Sequence, residues 1–128
     1  MAHVDIVTAL ALFQFFAFAL LVGRARGKYG VKAPAVTGHE MFERAFRVQM
    51  NTLELLVIFI PGLYLAAKYW SPHLAAAVGA IYLIGRIIYA VNYVANPAGR
   101  GLGFALSLGP ALTLLGAALV GAVISVLK

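Results

Sequence analysis

The chain has 128 residues, of which 63% are hydrophobic and 11% are charged, and it carries ten Lys and Arg residues against four Asp and Glu. A domain of this size cannot enclose so much apolar surface, so the composition excludes an ordinary water-soluble globule and favours a protein embedded in lipid. The absence of cysteine excludes disulfides, thiolate metal sites and a thiol nucleophile of the chain's own.

Four apolar stretches are each long enough to cross about 30 Å of hydrocarbon as a helix. They cover residues 4–23, 37–68, 73–96 and 101–127. The sequence therefore predicts an all-α integral membrane protein in which residues 1–128 form one domain, a bundle of four transmembrane helices. We expect the first stretch to stay in the mature protein, because arginines follow it where a signal peptide would carry them in front. Thr37, with Glu40 three residues later, predicts the N-cap of the second helix.

Positive charge is concentrated after the first span, at Arg24, Arg26, Lys28 and Lys32. The positive-inside rule then predicts that the basic loop 24–36 and the turn before Arg100 lie in the cytoplasm. These cations also have a plainer interpretation as contacts to anionic lipid.

The fourth span carries small residues that predict a close-packed helix face. They are Gly109, Gly116, Ala117 and Gly121.

The second span contains a polar row in the segment FERAFRVQMNTLE, residues 42–54. Arg44, Arg47, Asn51 and Glu54 fall within an arc of roughly 80° on an α-helix. An ionisable residue inside a membrane costs about 3 kcal/mol, so such a row is typical of a site or pathway inside the bundle. The alternative is structural, with Glu54 pairing with an arginine of a neighbouring helix to fix the packing.

The third span has a matching row of Tyr82, Arg86, Tyr89 and Tyr93. If the two rows face each other, they build a cationic pocket at the cytoplasmic end together with Arg100, in which Glu54 is the carboxylate that can hold an ammonium. A zwitterionic, net-anionic peptide suits that charge pattern. Tyrosines near helix ends are also common as membrane-interface residues, and this alternative stays open for Tyr82.

The signature FERAFRVQMNTLE, the later pattern RIIYAVNY and Arg100 resemble the family of membrane-associated proteins in eicosanoid and glutathione metabolism, over nearly the whole chain. The resemblance implies a homotrimer in the lipid bilayer, with glutathione bound between subunits and attacking a hydrophobic electrophile or a lipid hydroperoxide. It implies a catalytic role for Arg100, which would stabilise the glutathione thiolate. The implied glutathione ligands are Arg47, Gln49, Asn51, Glu54, Arg86, Tyr89 and Tyr93, with Arg26 in the first loop.

Two positions depart from the family pattern. Leu55 stands where the leukotriene-C synthases have a glutathione-contacting tyrosine, and Gly27 stands where an arginine is expected.

The resemblance as a whole implies a glutathione transferase with possible peroxidase activity, and leaves open a non-catalytic lipid-binding scaffold of the same family. A transporter is disfavoured by the lack of a repeat, and nucleic-acid binding by the lack of a soluble basic face. Scattered histidines predict no metal site, and the short loops favour a bacterial inner membrane.

Overall fold

The computed structural model describes all residues from Met1 to Lys128 as four long helices. They are α1 (Ala2–Tyr29), α2 (Glu40–Tyr69), α3 (Pro72–Ala95) and α4 (Gly101–Leu127), with a short 3₁₀ turn at Pro97–Gly99. Each of the four is long and apolar enough to cross a membrane. The all-helical, four-helix architecture predicted from the sequence is confirmed.

The basic segment after the first span is largely helical, so the predicted loop 24–36 is wrong over its first half. Helix α1 continues through Arg24, Arg26 and Lys28 and ends at Gly30, whose φ of 70° is the left-handed conformation that glycine tolerates. Cations at a helix C-terminus interact favourably with the carbonyl end of the helix dipole, which makes this extension favourable.

The N-cap of α2 also differs from the prediction, because His39 takes the place expected for Thr37. His39 Nδ1 accepts a hydrogen bond from the backbone N–H of Met41 at 3.1 Å, and the helix begins at Glu40. Helix α3 begins in the usual way, with the Ser71 hydroxyl accepting from the N–H of Leu74.

Helices α2 and α3 form the centre of the bundle, since each contacts the other three long helices, whereas α1 packs mainly on α2 and α3. Phe59 of α2 and Tyr82 of α3 stack in the core with ring centroids 3.8 Å apart, next to Leu63. Only 31 of the 128 residues are buried within the chain, and large apolar side chains such as Phe13 and Val57 point outward. An apolar exterior of this kind is suited to lipid.

Helices α3 and α4 approach each other closely at two glycines. A Cβ built on Gly85 would meet the Leu106 carbonyl at 2.6 Å, and one built on Gly103 would fall on the main chain of Tyr89. The close-packed face predicted for the fourth span is confirmed at Gly121, where a Cβ would lie 2.5 Å from the Tyr69 Cβ of α2. It is not found within the chain at Gly109 and Gly116, where a Cβ would meet nothing within 4 Å. The close contact between α3 and α4 thus depends on Gly85 of α3 and on Gly103 in the first turn of α4.

Candidate functional site

A buried arginine organises the polar centre of the bundle. Arg86 of α3 has no exposed surface, and its Nη1 donates to Asn51 Oδ1 at 2.8 Å and to Thr52 Oγ1 at 3.1 Å. Its Nε donates to Ser107 Oγ at 2.9 Å, and its guanidinium lies 4.2 Å from the ring centre of Tyr89. A charge in an apolar interior is tolerated when it is hydrogen-bonded in this way, and the network ties α2, α3 and α4 together.

A cavity of about 460 Å³ opens beside this network, between α2, α3 and the start of α4. It is lined by Arg47, Asn51, Tyr89, Tyr93, Arg100 and Phe104. Five of these six residues were predicted as site residues from the sequence. The polar row of α2 and the tyrosine row of α3 therefore do lie against a common space, together with the arginine that follows the 3₁₀ turn.

Aromatic side chains form one wall of the cavity. Tyr89 and Tyr93 stack with ring centroids 5.5 Å apart, and Phe104 of α4 is tilted against Tyr89 at 6.4 Å. The Arg86 guanidinium also packs on the Tyr89 ring, so this ring is held by contacts to Arg86, Tyr93 and Phe104. The wall combines apolar ring surface with phenol groups that donate hydrogen bonds.

Two arginines contribute positive charge to the cavity. Arg100 is exposed and follows the Pro97–Gly99 turn, where its Nη1 donates to the Pro97 carbonyl at 3.3 Å. Arg47 forms an ion pair with Glu54 at 3.2 Å, and the two side chains are 51% and 56% exposed. An ion pair this open contributes little to stability, so both partners are free to exchange it for a ligand. The sequence left open that Glu54 pairs with an arginine of a neighbouring helix. In the structure its partner is Arg47, which belongs to the same helix, α2.

Arg44 belongs to the predicted row but is directed elsewhere. It forms a 2.6 Å ion pair with Glu40, and its Nη1 donates to the carbonyls of Val94 and Ala95 at the end of α3. Arg44 therefore closes the last turn of α3, because these carbonyls have no partner within the helix.

Four of the predicted ligands do not line the cavity, namely Arg86, Glu54, Gln49 and Arg26. Arg86 lies beneath it and reaches the space only through Asn51 and Tyr89. Gln49 is two residues from Arg47 and thus about 160° away around the helix. Arg26 donates to the Ala35 carbonyl at 2.6 Å and stacks over the Phe42 ring at 4.7 Å.

Three residues of this region were missed by the sequence reasoning. Thr52 and Ser107 hold the Arg86 guanidinium, and Phe104 completes the aromatic wall. Ser107 carried a usable signal, since a hydroxyl in an otherwise apolar span marks a polar partner on another helix. Phe104 carried none, because an aromatic residue in a membrane helix is as well placed against lipid.

The donors of the site are guanidinium, amide and phenol groups, and the chain has no cluster of three His, Cys, Asp or Glu residues close enough to hold a metal ion. Such a donor set is suited to an anionic organic ligand with several hydrogen-bond acceptors. The cavity volume of about 460 Å³ lies within the range of small-molecule sites, roughly 300–1,000 Å³.

Comparison with known proteins gives consistent matches along the chain. The model of the MAPEG family matches residues 4–120. An uncharacterized protein of Synechocystis sp. is 48% identical over 122 residues, which cover 95% of this chain and 86% of that protein. Human microsomal glutathione S-transferase 2 is 46% identical over 113 residues, covering 87% of this chain and 77% of its own length. Leukotriene C4 synthase of Cavia porcellus is 37% identical over 87 residues, 68% of this chain and 58% of that protein.

With four membrane-length helices and matches of this extent, the resemblance found in the sequence is confirmed: the chain is an integral, multi-pass membrane protein and belongs to the MAPEG family.

Proposed function

We propose that this protein is a membrane-bound glutathione transferase that activates the glutathione thiol for attack on hydrophobic electrophiles. The observation that carries the proposal is the cavity in which Arg47, Asn51, Tyr93 and Arg100 meet. Relatives named as a microsomal glutathione S-transferase and a leukotriene C4 synthase support it, since both belong to the same family of sequences.

The charge pattern and the volume of the cavity support glutathione as the ligand. Glutathione at neutral pH carries two carboxylates and one ammonium, so it is zwitterionic with a net negative charge. Arg47 and Arg100 offer guanidinium donors to the carboxylates, while Glu54, which is ion-paired with Arg47 of the lining, offers a carboxylate to the ammonium. A volume of about 460 Å³ lies within the range of small-molecule sites, roughly 300–1,000 Å³.

Arg100 is proposed to stabilise the thiolate. A free thiol has a pKa of about 8.5, and a guanidinium near the sulfur lowers this pKa because it favours the charged form. The thiol proton passes to solvent, the thiolate forms a bond to the electrophilic carbon, and the leaving group departs with its electron pair. In the peroxidase reaction the same thiolate would attack the terminal oxygen of a lipid hydroperoxide, and the O–O bond would break so that the alkoxide leaves and takes up a proton to become the alcohol. A second glutathione would then reduce the resulting glutathione sulfenic acid, giving glutathione disulfide and water. The bilayer supplies either substrate, because both are apolar and concentrate there by partitioning.

The positions of Arg26 and Gln49 support a homotrimer with sites between subunits. Arg26 packs on Phe42, which is seven residues from Gln49 and on the same side of α2. Since this side faces away from the cavity of its own chain, we propose that Arg26 and Gln49 contribute to the site of a neighbouring subunit. Arg86 is then a positioning residue that holds Asn51 and Tyr89 in place.

The proposed orientation places the basic end of the bundle in the cytoplasm, where glutathione is available. Arg24, Lys32, Arg47 and Arg100 all lie at this end, as the positive-inside rule requires for a cytoplasmic side. The short connections between helices fit a bacterial inner membrane, and the similar protein of Synechocystis sp. is cyanobacterial.

The experiment compares the purified protein with the Arg100→Ala variant, using glutathione and a model aryl halide. At a pH below the pKa of the bound thiol, a pKa higher by one unit lowers the thiolate fraction about tenfold, so under that condition we expect about that loss of turnover and a matching loss of ultraviolet thiolate absorbance. Lys128→Ala is the control, because Lys128 lies at the other end of the bundle. Absence of both turnover and thiolate absorbance in the wild-type protein would leave the lipid-binding scaffold in place of the enzyme.

Subunit mixing tests the shared site. Arg100→Ala chains and Gln49→Ala chains are each expected to be impaired when expressed alone. Co-expression should restore part of the activity, because mixed trimers contain interfaces in which both residues are intact. If the two variants never complement each other, although mixed trimers can be isolated, each site belongs to a single chain.

A further inference from the structure

The bundle contains a second cavity, of about 440 Å³, between α1, α2 and α3. Its walls on α2 and α3 are formed by Met41, Ala45, Val48, Ala90, Val91 and Val94. On α3 these residues lie roughly 130° around the helix from Tyr89 and Tyr93. The second cavity is therefore on the other side of the α2–α3 pair from the proposed glutathione site, and none of its lining residues is shared with that site.

Two cations stand at the mouth of this apolar cavity. Arg24 and Lys28 are four residues apart on α1 and so share one face, and both line the space. Neither forms an ion pair with an acidic residue of the chain. Their location in the last two turns of α1 places them at the basic end of the bundle, where long cationic side chains reach the membrane interface.

We propose that this cavity binds a long-chain fatty acid, with its acyl chain between α1, α2 and α3 and its carboxylate held by Arg24 and Lys28. Ten of the twelve lining residues are hydrophobic, which suits the chain, and the two cations supply the charge complementarity for the head. The volume accepts a single chain, whereas the paired chains and glycerol of a phospholipid exceed it.

Selectivity in this site must come from the head group. An acyl chain that moves from the bilayer into the cavity exchanges one apolar environment for another, so the transfer itself contributes little. The carboxylate gains two charged hydrogen-bond donors that the bilayer does not offer. We therefore expect oleate to bind at least about tenfold more tightly than oleyl alcohol, which has the same chain and no charge.

The test uses the full-length protein in phosphatidylcholine nanodiscs and a fatty acid carrying a diazirine in mid-chain. Irradiation should label peptides that contain Met41, Val48 or Val94, and unlabelled oleate should compete where oleyl alcohol does not. Phosphatidylglycerol, tested as a third competitor, is expected to have no effect at the concentration at which oleate displaces half of the label.

Two matched pairs of variants connect the label to the cavity. Lys28→Gln should lower labelling several-fold, whereas Lys32→Gln should not, because Lys32 lies at the same end but outside the cavity. Ala90→Leu should block labelling by filling the space, whereas Ala80→Leu, on the outer face of the same helix, should leave it unchanged.

Several outcomes would overturn the proposal. These are labels that map to the α2–α3–α4 cavity, equal competition by oleyl alcohol, stronger competition by phosphatidylglycerol than by oleate, or labelling that survives both Lys28→Gln and Ala90→Leu. Thermal unfolding of each variant in detergent shows whether a loss of label reflects the site or the fold. The result does not depend on transferase activity, so the two proposals stand or fall separately.

Discussion

Gly103→Ala is the substitution whose effect the helix packing defines most closely. A Cβ at this position falls on the main-chain N and Cα of Tyr89, with the Tyr89 Cβ only 2.8 Å away. A change of rotamer cannot relieve a clash with backbone, so the start of α4 must move away from α3. Overpacking of this kind costs about 1–3 kcal/mol, and more when backbone must shift. Replacing glycine by alanine in a helix returns at most about 1 kcal/mol.

We therefore expect Gly103→Ala to lower the free energy of unfolding by roughly 1–2 kcal/mol, about a five- to thirty-fold rise in the unfolded fraction. Glutathione affinity should fall as well, because Tyr89 and Phe104 line the proposed site on either side of this contact. The measurements are the unfolding midpoint in detergent and glutathione titration by calorimetry. Gly116→Ala is the control, since its Cβ meets nothing within 4 Å. Wild-type stability and affinity in Gly103→Ala would refute the argument.

Two further substitutions test the polar centre. Arg86→Met leaves Asn51 without its buried donor, so we expect about 1–3 kcal/mol of lost stability in detergent unfolding and a higher KM for glutathione. Arg24→Met, at the surface, is the control and should be near neutral in stability. Equal unfolding midpoints for the two variants would contradict a structural role for Arg86. Glu54→Gln removes a half-exposed ion pair with Arg47 and should change stability by less than about 1 kcal/mol. The KM for glutathione should rise about tenfold with little change in kcat. An unchanged KM would show that Glu54 does not bind the ammonium group.

Local properties of the sequence were sufficient for the architecture and for most of the candidate site. Hydropathy identified four membrane-length helices, because every backbone polar group in lipid must be satisfied within a helix. Helical periodicity placed Arg47 and Asn51 on one face of α2, and Tyr89 and Tyr93 on one face of α3, and all four line the same cavity. These predictions succeeded because they depend only on residues a few positions apart.

The tertiary structure decided which faces meet and what each polar group does there. Arg86 was predicted to be a ligand, yet the approach of α4 at Gly103 brings Ser107 against it and buries it completely. The second cavity, lined by Lys28, likewise follows from how α1 and α4 pack on opposite sides of α2 and α3. Periodicity fixes angles within one helix, but the rotation of one helix against another is set by contacts between residues far apart in the chain.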